Sequence, residues 1–241
     1  MSSAEQAPKM EPAHDHQPAS LLGRFPQLTK DHADWLRLSE QLTAVYKQCG
    51  MCVRPVMEAA HRSSITHATL EAASRGESAA LKLKEPAAEG DTASHVVFDS
   101  HIREEVSRAY AAAFAAAGLT ALRAAEHPQK FSAPAPELAR LAQRAAEALA
   151  HGMGLLLGVR QSGSIAQVCA YIGSLESQTD TLLRAFLASP PERVGNNAQQ
   201  GDADRYSADR QILTALEAMT DRCEDIADAF LAVAHTGHSK R

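Results

Sequence analysis

The stretch from Ile212 to Val233 reads ILTALEAMTDRCEDIADAFLAV. Ile212, Leu216, Met219, Cys223, Ile226, Phe230 and Val233 alternate spacings of four and three. That is the period of a helix buried along one seam of a bundle. Glu217, Asp221, Glu224 and Asp228 each follow a seam residue or its neighbour by one position. At 3.6 residues per turn they form a stripe beside the seam. An acid on an outer face carries little information. An acid at the edge of a packed seam loses hydration unless it meets a cation, a metal or water.

Composition agrees with helices. The chain has 241 residues, 45% hydrophobic but only 5% aromatic. Abundant alanine favours close-packed helices over a β-sandwich, which would draw on Val, Thr, Tyr and Phe. The expected class is all-α. The net charge is -5 with no basic tract before the last residues, so nucleic acid is a poor partner. The first residues lack the apolar segment of a secretory signal. The longest nearly apolar run, Ala109 to Leu122, is shorter than the roughly 18–20 residues of a membrane span. A cytoplasmic protein is expected. Four cysteines in a chain of this length do not suggest a disulfide scaffold.

The rest of the chain divides into helices and breaks. Residues 1–26 read as a disordered tail, polar and proline-bearing, in which His14-Asp15-His16 is a flexible cluster rather than a metal site. A first helix is expected from Leu28 to Cys49, with Leu28, Trp35, Leu42 and Cys49 on one ladder and Leu38, Val45 and Cys52 on another. Cys49 and Cys52 form a Cys-x-x-Cys, a pattern used in redox and zinc chemistry. No second such pair exists, and both lie on the apolar ladders, so buried thiols are expected. A second helix, Val56 to Lys84, is poorly patterned, with Ile65, Leu70, Leu81 and Leu83 as its large apolar residues. Gly76 inside it should cost about 1 kcal/mol relative to alanine. A linker, Glu85 to Val97, precedes a third helix capped by Asp99 or Ser100 and ended near Pro128. A fourth helix should start near Pro136, bury Leu138, Leu141, Ala145, Leu149, Leu155 and Leu156, and loosen at Gly152, Gly154 and Gly158. Ser164 and Gln167 fit a capping box opening a fifth helix. Its seam is Ile165, Val168, Ile172, Leu175, Thr179, Leu182 and Phe186, with Glu176 and Asp180 one residue beyond seam positions. Pro190-Pro191 stops it, and a long loop is expected from Ser189 to Ser207.

The plan is therefore two three-helix halves, residues 27–127 and 136–236, joined by a linker at 128–135 and ending in a short tail at 237–241. Leu70-Glu71 in the first half matches Leu175-Glu176 in the second. Arg75 stands where Asp180 stands, and alanines with Phe114 and Gly118 stand where the sixth helix has its acids.

LESQTD at Leu175–Asp180, followed by LEAMTDRCEDIAD at Leu216–Asp228, resembles the second half of the PhoU-like phosphate-transport regulators. In particular it resembles the branch that accompanies Pit-type phosphate permeases. FDSHIREEV at Phe98–Val106 is similar to the segment opening that family's third helix. The resemblance covers Leu28 to Ala234 and is carried mainly by Ile165 to Val233. It implies six helices in two pseudo-symmetric three-helix bundles. It also implies a non-enzymatic, cytoplasmic regulator of inorganic phosphate transport or signalling. Such a protein docks on a permease or signalling partner, reaches the membrane only through that partner, and can form a homodimer. Some relatives hold iron or zinc clusters on Glu/Asp-x-x-x-Asp motifs. By position the metal candidates here are Glu176, Asp180, Glu217 and Asp221, with Glu224, Asp225 and Asp228 adjacent. Only one of the two symmetric sites would survive, because Arg75 and the alanines replace the first-half acids.

Oxygen ligands three or four residues apart can share a hard or borderline cation such as Fe, Zn, Mn or Mg. Di-metal carboxylate bundles usually add Glu-x-x-His, and no His sits three residues after any of these acids. That weighs against a metal-dependent bundle enzyme, the alternative reading. The plainer account of the stripe is solvation, or pairing with Arg184, Arg210 or Arg222. His61, His67 and His151 are ordinary surface or boundary histidines under that account, and the protein is then a structural helical interaction protein.

Overall fold

The computed structural model describes residues 30–54, 59–84, 100–128, 130–157, 162–189 and 200–236. Six α-helices hold nearly all of them: α1 Lys30–Cys52, α2 Ala59–Lys82, α3 Ser100–Glu126, α4 Pro134–Leu157, α5 Ser162–Leu187 and α6 Gln200–Thr236. The described residues contain no strand. The expected all-α class is observed. The tails, the cluster at His14-Asp15-His16, the linker after Glu85 and the prolines Pro190-Pro191 lie outside the described residues.

Within residues 30–126, α1, α2 and α3 pack on one another, and α4, α5 and α6 do the same. The two sets meet through α1 against α4 and α3 against α6. Exchanging α1 with α4, α2 with α5 and α3 with α6 maps this set of pairings onto itself, although corresponding pairs differ in extent, most of all α1–α3 and α4–α6. α2 and α5 are thus outer helices, and the other four form the middle.

The seams explain the packing. All seven seam residues of α6 are buried, from Ile212 to Val233. Trp35, Leu38, Leu42, Val45, Cys49 and Cys52 are buried on α1 as the ladders require. Ile165, Ile172, Leu175 and Thr179 are buried on α5. α3 sits against three helices and buries two stripes, one of them Val106, Tyr110, Ala113, Ala117, Thr120 and Ala124. Its alanines let the neighbours approach closely.

Buried polar groups tie the middle helices together. The Tyr46 hydroxyl on α1 donates to the Met219 carbonyl of α6 at 2.8 Å. Thr120 on α3 donates to Met219 Sδ at 3.2 Å. Ser39 and Tyr110 hydrogen-bond between α1 and α3, and Trp35 lies against the Tyr110 ring with centroids 6.1 Å apart. Burial pushes the Tyr46 and Cys223 ionisations well up, so both stay neutral there. Cys49 donates to the Ala117 carbonyl at 3.4 Å, and Cys52 shares a hydrogen bond with Thr66 at 3.3 Å. Both thiols are buried and raised in pKa, chiefly by desolvation. They are packing groups with little thiolate character.

α2 departs from the sequence reading. Leu81 is 52% exposed, and Ile65, Leu70 and Leu83 only flank the core. The buried face is Arg62, Thr66, Thr69, Ala73, Gly76 and Ala80. That set also alternates four and three, but in small and polar residues, so no apolar ladder marks it. Thr66 and Thr69 each donate to the carbonyl four residues back, at 2.8 Å, and bury no unmet hydroxyl. Arg62 gathers the helix ends around it. It donates to the Pro128 carbonyl at 2.7 Å and the Arg54 carbonyl at 3.4 Å, and lies 5.2 Å from the Phe131 ring centre.

Boundaries differ as well. α1 continues through Gly50 to Cys52, because Gly50 packs near Ala139 on α4. α4 begins at Pro134 rather than Pro136 and runs unbroken through Gly152 and Gly154, so the expected linker at 128–135 is shorter. Gly152 is covered by Val168 and Phe230, which is why it does not loosen the helix. α5 begins at Ser162, so Ser164 is inside the helix and is not its cap. α6 begins at Gln200, seven residues before the expected end of the loop. Its first turn buries no apolar seam, but Tyr206 stacks on Phe186 at 5.0 Å and 17°, fastening the two helices where they leave the bundle.

Gly76 reverses its expected sign. A Cβ there would lie 2.3 Å from Phe114 Cε1, inside a ring that is itself fully buried. Gly118, on the facing helix, has only Ala73 Cβ at 3.6 Å. Gly76→Ala should therefore lose about 1–3 kcal/mol by overpacking, while Gly118→Ala should gain about 0.5–1 kcal/mol of helix propensity. Thermal unfolding of the two variants should place Gly76→Ala below and Gly118→Ala at or above the parent. The opposite order would refute the α2–α3 contact.

Candidate functional site: an acidic edge between two helices

α5 and α6 run antiparallel. Cys169 donates to the Ala227 carbonyl at 3.2 Å, and Gly173 lies under Glu224, where a Cβ would be 3.2 Å from its Oε1. Glu176 is one turn further along α5, so it faces the acids of α6. The buried seams of both helices fix this register, because Leu175 and Thr179 on α5 and Cys223 and Thr220 on α6 cannot rotate out without exposing the core.

The electrostatics follow from that register. Desolvation raises the Glu217 carboxyl, and Asp221 and Glu176 raise it further. Desolvation and Glu176 raise Asp221. Desolvation, Glu176, Asp228 and Asp221 raise Glu224. Glu176 is the group common to all three. The guanidinium of Arg222 lowers Glu217 and Asp221, yet both remain net raised, and its ion pair is with Asp225 at 2.7 Å. The plainer account of the stripe is solvation, or pairing with Arg184, Arg210 or Arg222. Of these, Arg222 offsets the stripe incompletely, and Arg184 pairs with Asp180.

Four of the six stripe candidates thus converge electrostatically: Glu176, Glu217, Asp221 and Glu224. Asp180 is drawn into its ion pair with Arg184 one turn along α5. Asp228 is exposed and lies further along α6, beside Glu224 and Cys169, whose thiol burial and that carboxylate push up to about 11. In the first half, Glu71 is exposed and shared by Arg75 at 3.7 Å and His67 at 3.6 Å. Among the described residues, the mutually raised carboxyls of Glu217, Asp221 and Glu224 have no counterpart around Glu71.

The fit to a metal follows from the same geometry. Carboxylate oxygens suit a hard cation, but among the described residues no three His, Cys, Asp or Glu side chains are gathered as a group that could hold one. His61 and His151 are exposed and do not join the edge. What the arrangement does chemically is hold several carboxylates near one another at half-buried positions. Such an edge binds protons more readily than free carboxylates and attracts cationic groups.

Linkage gives the consequence a sign. These raised carboxyls hold protons in the folded chain at pH values where the unfolded chain has released them. Stability should therefore fall as pH rises from about 4 through the raised values, and the penalty is complete above them. Glu176→Gln removes the shared repeller. It should raise stability at about pH 7.5 by roughly 0.5 kcal/mol, the scale of exposed charge pairs, and the gain should shrink toward about pH 4.5. Urea unfolding at the two pH values measures it. A loss of stability at the higher pH would mean the carboxylates are satisfied where they stand.

No protein-family model matches the chain, and no curated protein matches it at a significant level.

Proposed function

We propose that the protein is a non-enzymatic accessory protein of inorganic phosphate transport or its signalling, on a PhoU-like plan, acting by docking on a phosphate permease or a signalling partner. The observation that carries this reading is the uncompensated edge of Glu176, Glu217, Asp221 and Glu224, set on one half of a bundle whose helix pairings repeat. A fold that needed those acids only for itself would have paired them, as it pairs Glu71, Asp180 and Asp225. A partner bearing Lys or Arg would relieve the repulsion, so association would be steered by charge and weakened by salt. The motifs at Leu175–Asp180 and Leu216–Asp228 supply the link to phosphate transport. No helix among the described residues is long and apolar enough to cross a membrane, so contact with a permease would be from its flank.

A metal-dependent helical-bundle enzyme is the alternative, with Glu176, Asp180, Glu217 and Asp221 as ligands. Stoichiometric Fe, Zn, Mn or Mg after purification without chelator, lost in an Asp180→Ala, Asp221→Ala double variant, would favour it.

Deletion of the gene should change phosphate uptake or the phosphate-starvation response, and the tagged protein should retain a phosphate permease or signalling protein at low salt. Glu176→Gln with Asp221→Asn should weaken that retention several-fold while leaving the fold intact. Unchanged uptake and signalling across phosphate-rich and phosphate-poor growth would sink the proposal.

A further inference from the structure

α3 carries a seam that the other described helices leave uncovered. Arg108, Ala112, Ala115, Leu119, Leu122 and Glu126 follow one another at spacings of four and three, the period that is buried on α6. On α3 they lie opposite Tyr110, Ala113, Ala117 and Ala124, which face the core. Leu119 and Leu122 are 45% and 42% exposed, Ala115 is exposed and Ala112 is half-exposed. No acid occurs from Val106 to Ala125. The outer face of a surface helix is normally charged along its length. This one is apolar between Arg108 and Glu126, and that apolar line is the kind of patch that marks an interaction surface.

The seam is also self-complementary. When a second copy lies antiparallel across it, Arg108 meets Glu126, Ala112 meets Leu122 and Ala115 meets Leu119. Each layer sets a cation against an acid or a large side chain against a small one. Heptad seams pack by such knobs entering holes, and alanine leaves a hole that leucine fills. From Arg108 to Glu126 the seam is about 27 Å long at 1.5 Å per residue. At present Arg108 ion-pairs within α3 with Glu104 at 3.0 Å, and Glu126 with Arg123 at 2.7 Å. Both end charges are exposed and free to be shared with a neighbour.

We propose that the outer face of α3 is the interface of a two-fold homodimer, with the two α3 helices pairing antiparallel about Ala117. The occupant is a second copy because an isologous interface needs a surface that fits itself when turned end for end. This seam does so in side-chain size and in charge, a match that an unrelated partner would not require. Its apolar residues form a line one helix wide, closed by charge at both ends, which suits a helix rather than a bilayer surface. The acidic edge lies on the other flank of α6, against α5, so the inference stands apart from the phosphate-transport reading.

Sedimentation of the full chain across a concentration series tests it. The parent should sediment with the mass of two chains and dissociate on dilution. Leu119→Glu with Leu122→Glu, both at exposed positions, should weaken the dimer at least about tenfold with helix content unchanged. Cross-linking reads the orientation, because the native thiols are buried. A mixture of Ala112→Cys and Leu122→Cys copies should form an interchain disulfide on mild oxidation. Neither variant alone should do so, since antiparallel pairing sets like positions about 15 Å apart along the axis. A parent that is monomeric across the series would overturn the proposal. So would a dimer that persists undiminished in the double leucine variant, or cysteine variants that cross-link to themselves rather than to each other.

Discussion

α6 is packed against three helices at once, α3, α4 and α5, and that constraint orders the rest of the molecule. A helix so surrounded has a wide buried sector, filled here by Ile212, Leu213, Leu216, Met219, Cys223, Ile226 and Phe230. Charged residues are confined to the strip that remains. Part of that strip runs along the join with α5, and there Glu217, Asp221 and Glu224 lose hydration on one side and meet Glu176 on the other. The repulsion is held because each seam residue buried beneath it contributes about 1.5–3 kcal/mol, far more than a half-exposed like-charge pair removes.

The same packing makes the two halves alike in plan and unlike in surface. Tyr46 and Thr120 both end on Met219, so the first half is fastened to the middle of α6 by polar contacts inside the core. The α2–α3 pair, which occupies the place of α5–α6, closes by small residues: Gly76 under Phe114 and Gly118 near Ala73. Its outer acid, Glu71, is exposed and ion-paired with Arg75. One half is tight and compensated. The other carries charge that the fold leaves unbalanced, and a functional surface is expected on that side.

Much of this was legible from residue spacing. The seam of α6 is buried throughout, and most of the α1, α4 and α5 seams are buried where their period places them, while Leu155, Val168, Leu182 and Phe186 are only partly covered. α2 was not legible, because Arg62, Thr66, Thr69, Ala73, Gly76 and Ala80 have the right period without the hydrophobicity that reveals it. The sign of Gly76 was lost with it, since propensity describes a solvated helix and not one lying under a phenyl ring. The start of α6 was hidden because its first turn is solvated, so its residues Gly201, Asp202 and Asp204 look like loop. For the site, spacing found the stripe and its partner helix. It could not separate Asp180 from Glu176, because the i,i+4 arginine Arg184 decides that and spacing alone does not say which acid it takes.

The central claim is that the edge between α5 and α6 is uncompensated in the folded protein. Side-chain carboxyl titration of the full chain by NMR measures this directly at each residue. Glu217, Asp221 and Glu224 should titrate above free glutamate and aspartate, and Glu176→Gln should bring all three down together. Titration at or below the ordinary carboxylate values, unmoved by Glu176→Gln, would show that the acids are satisfied within the bundle and would contradict the account.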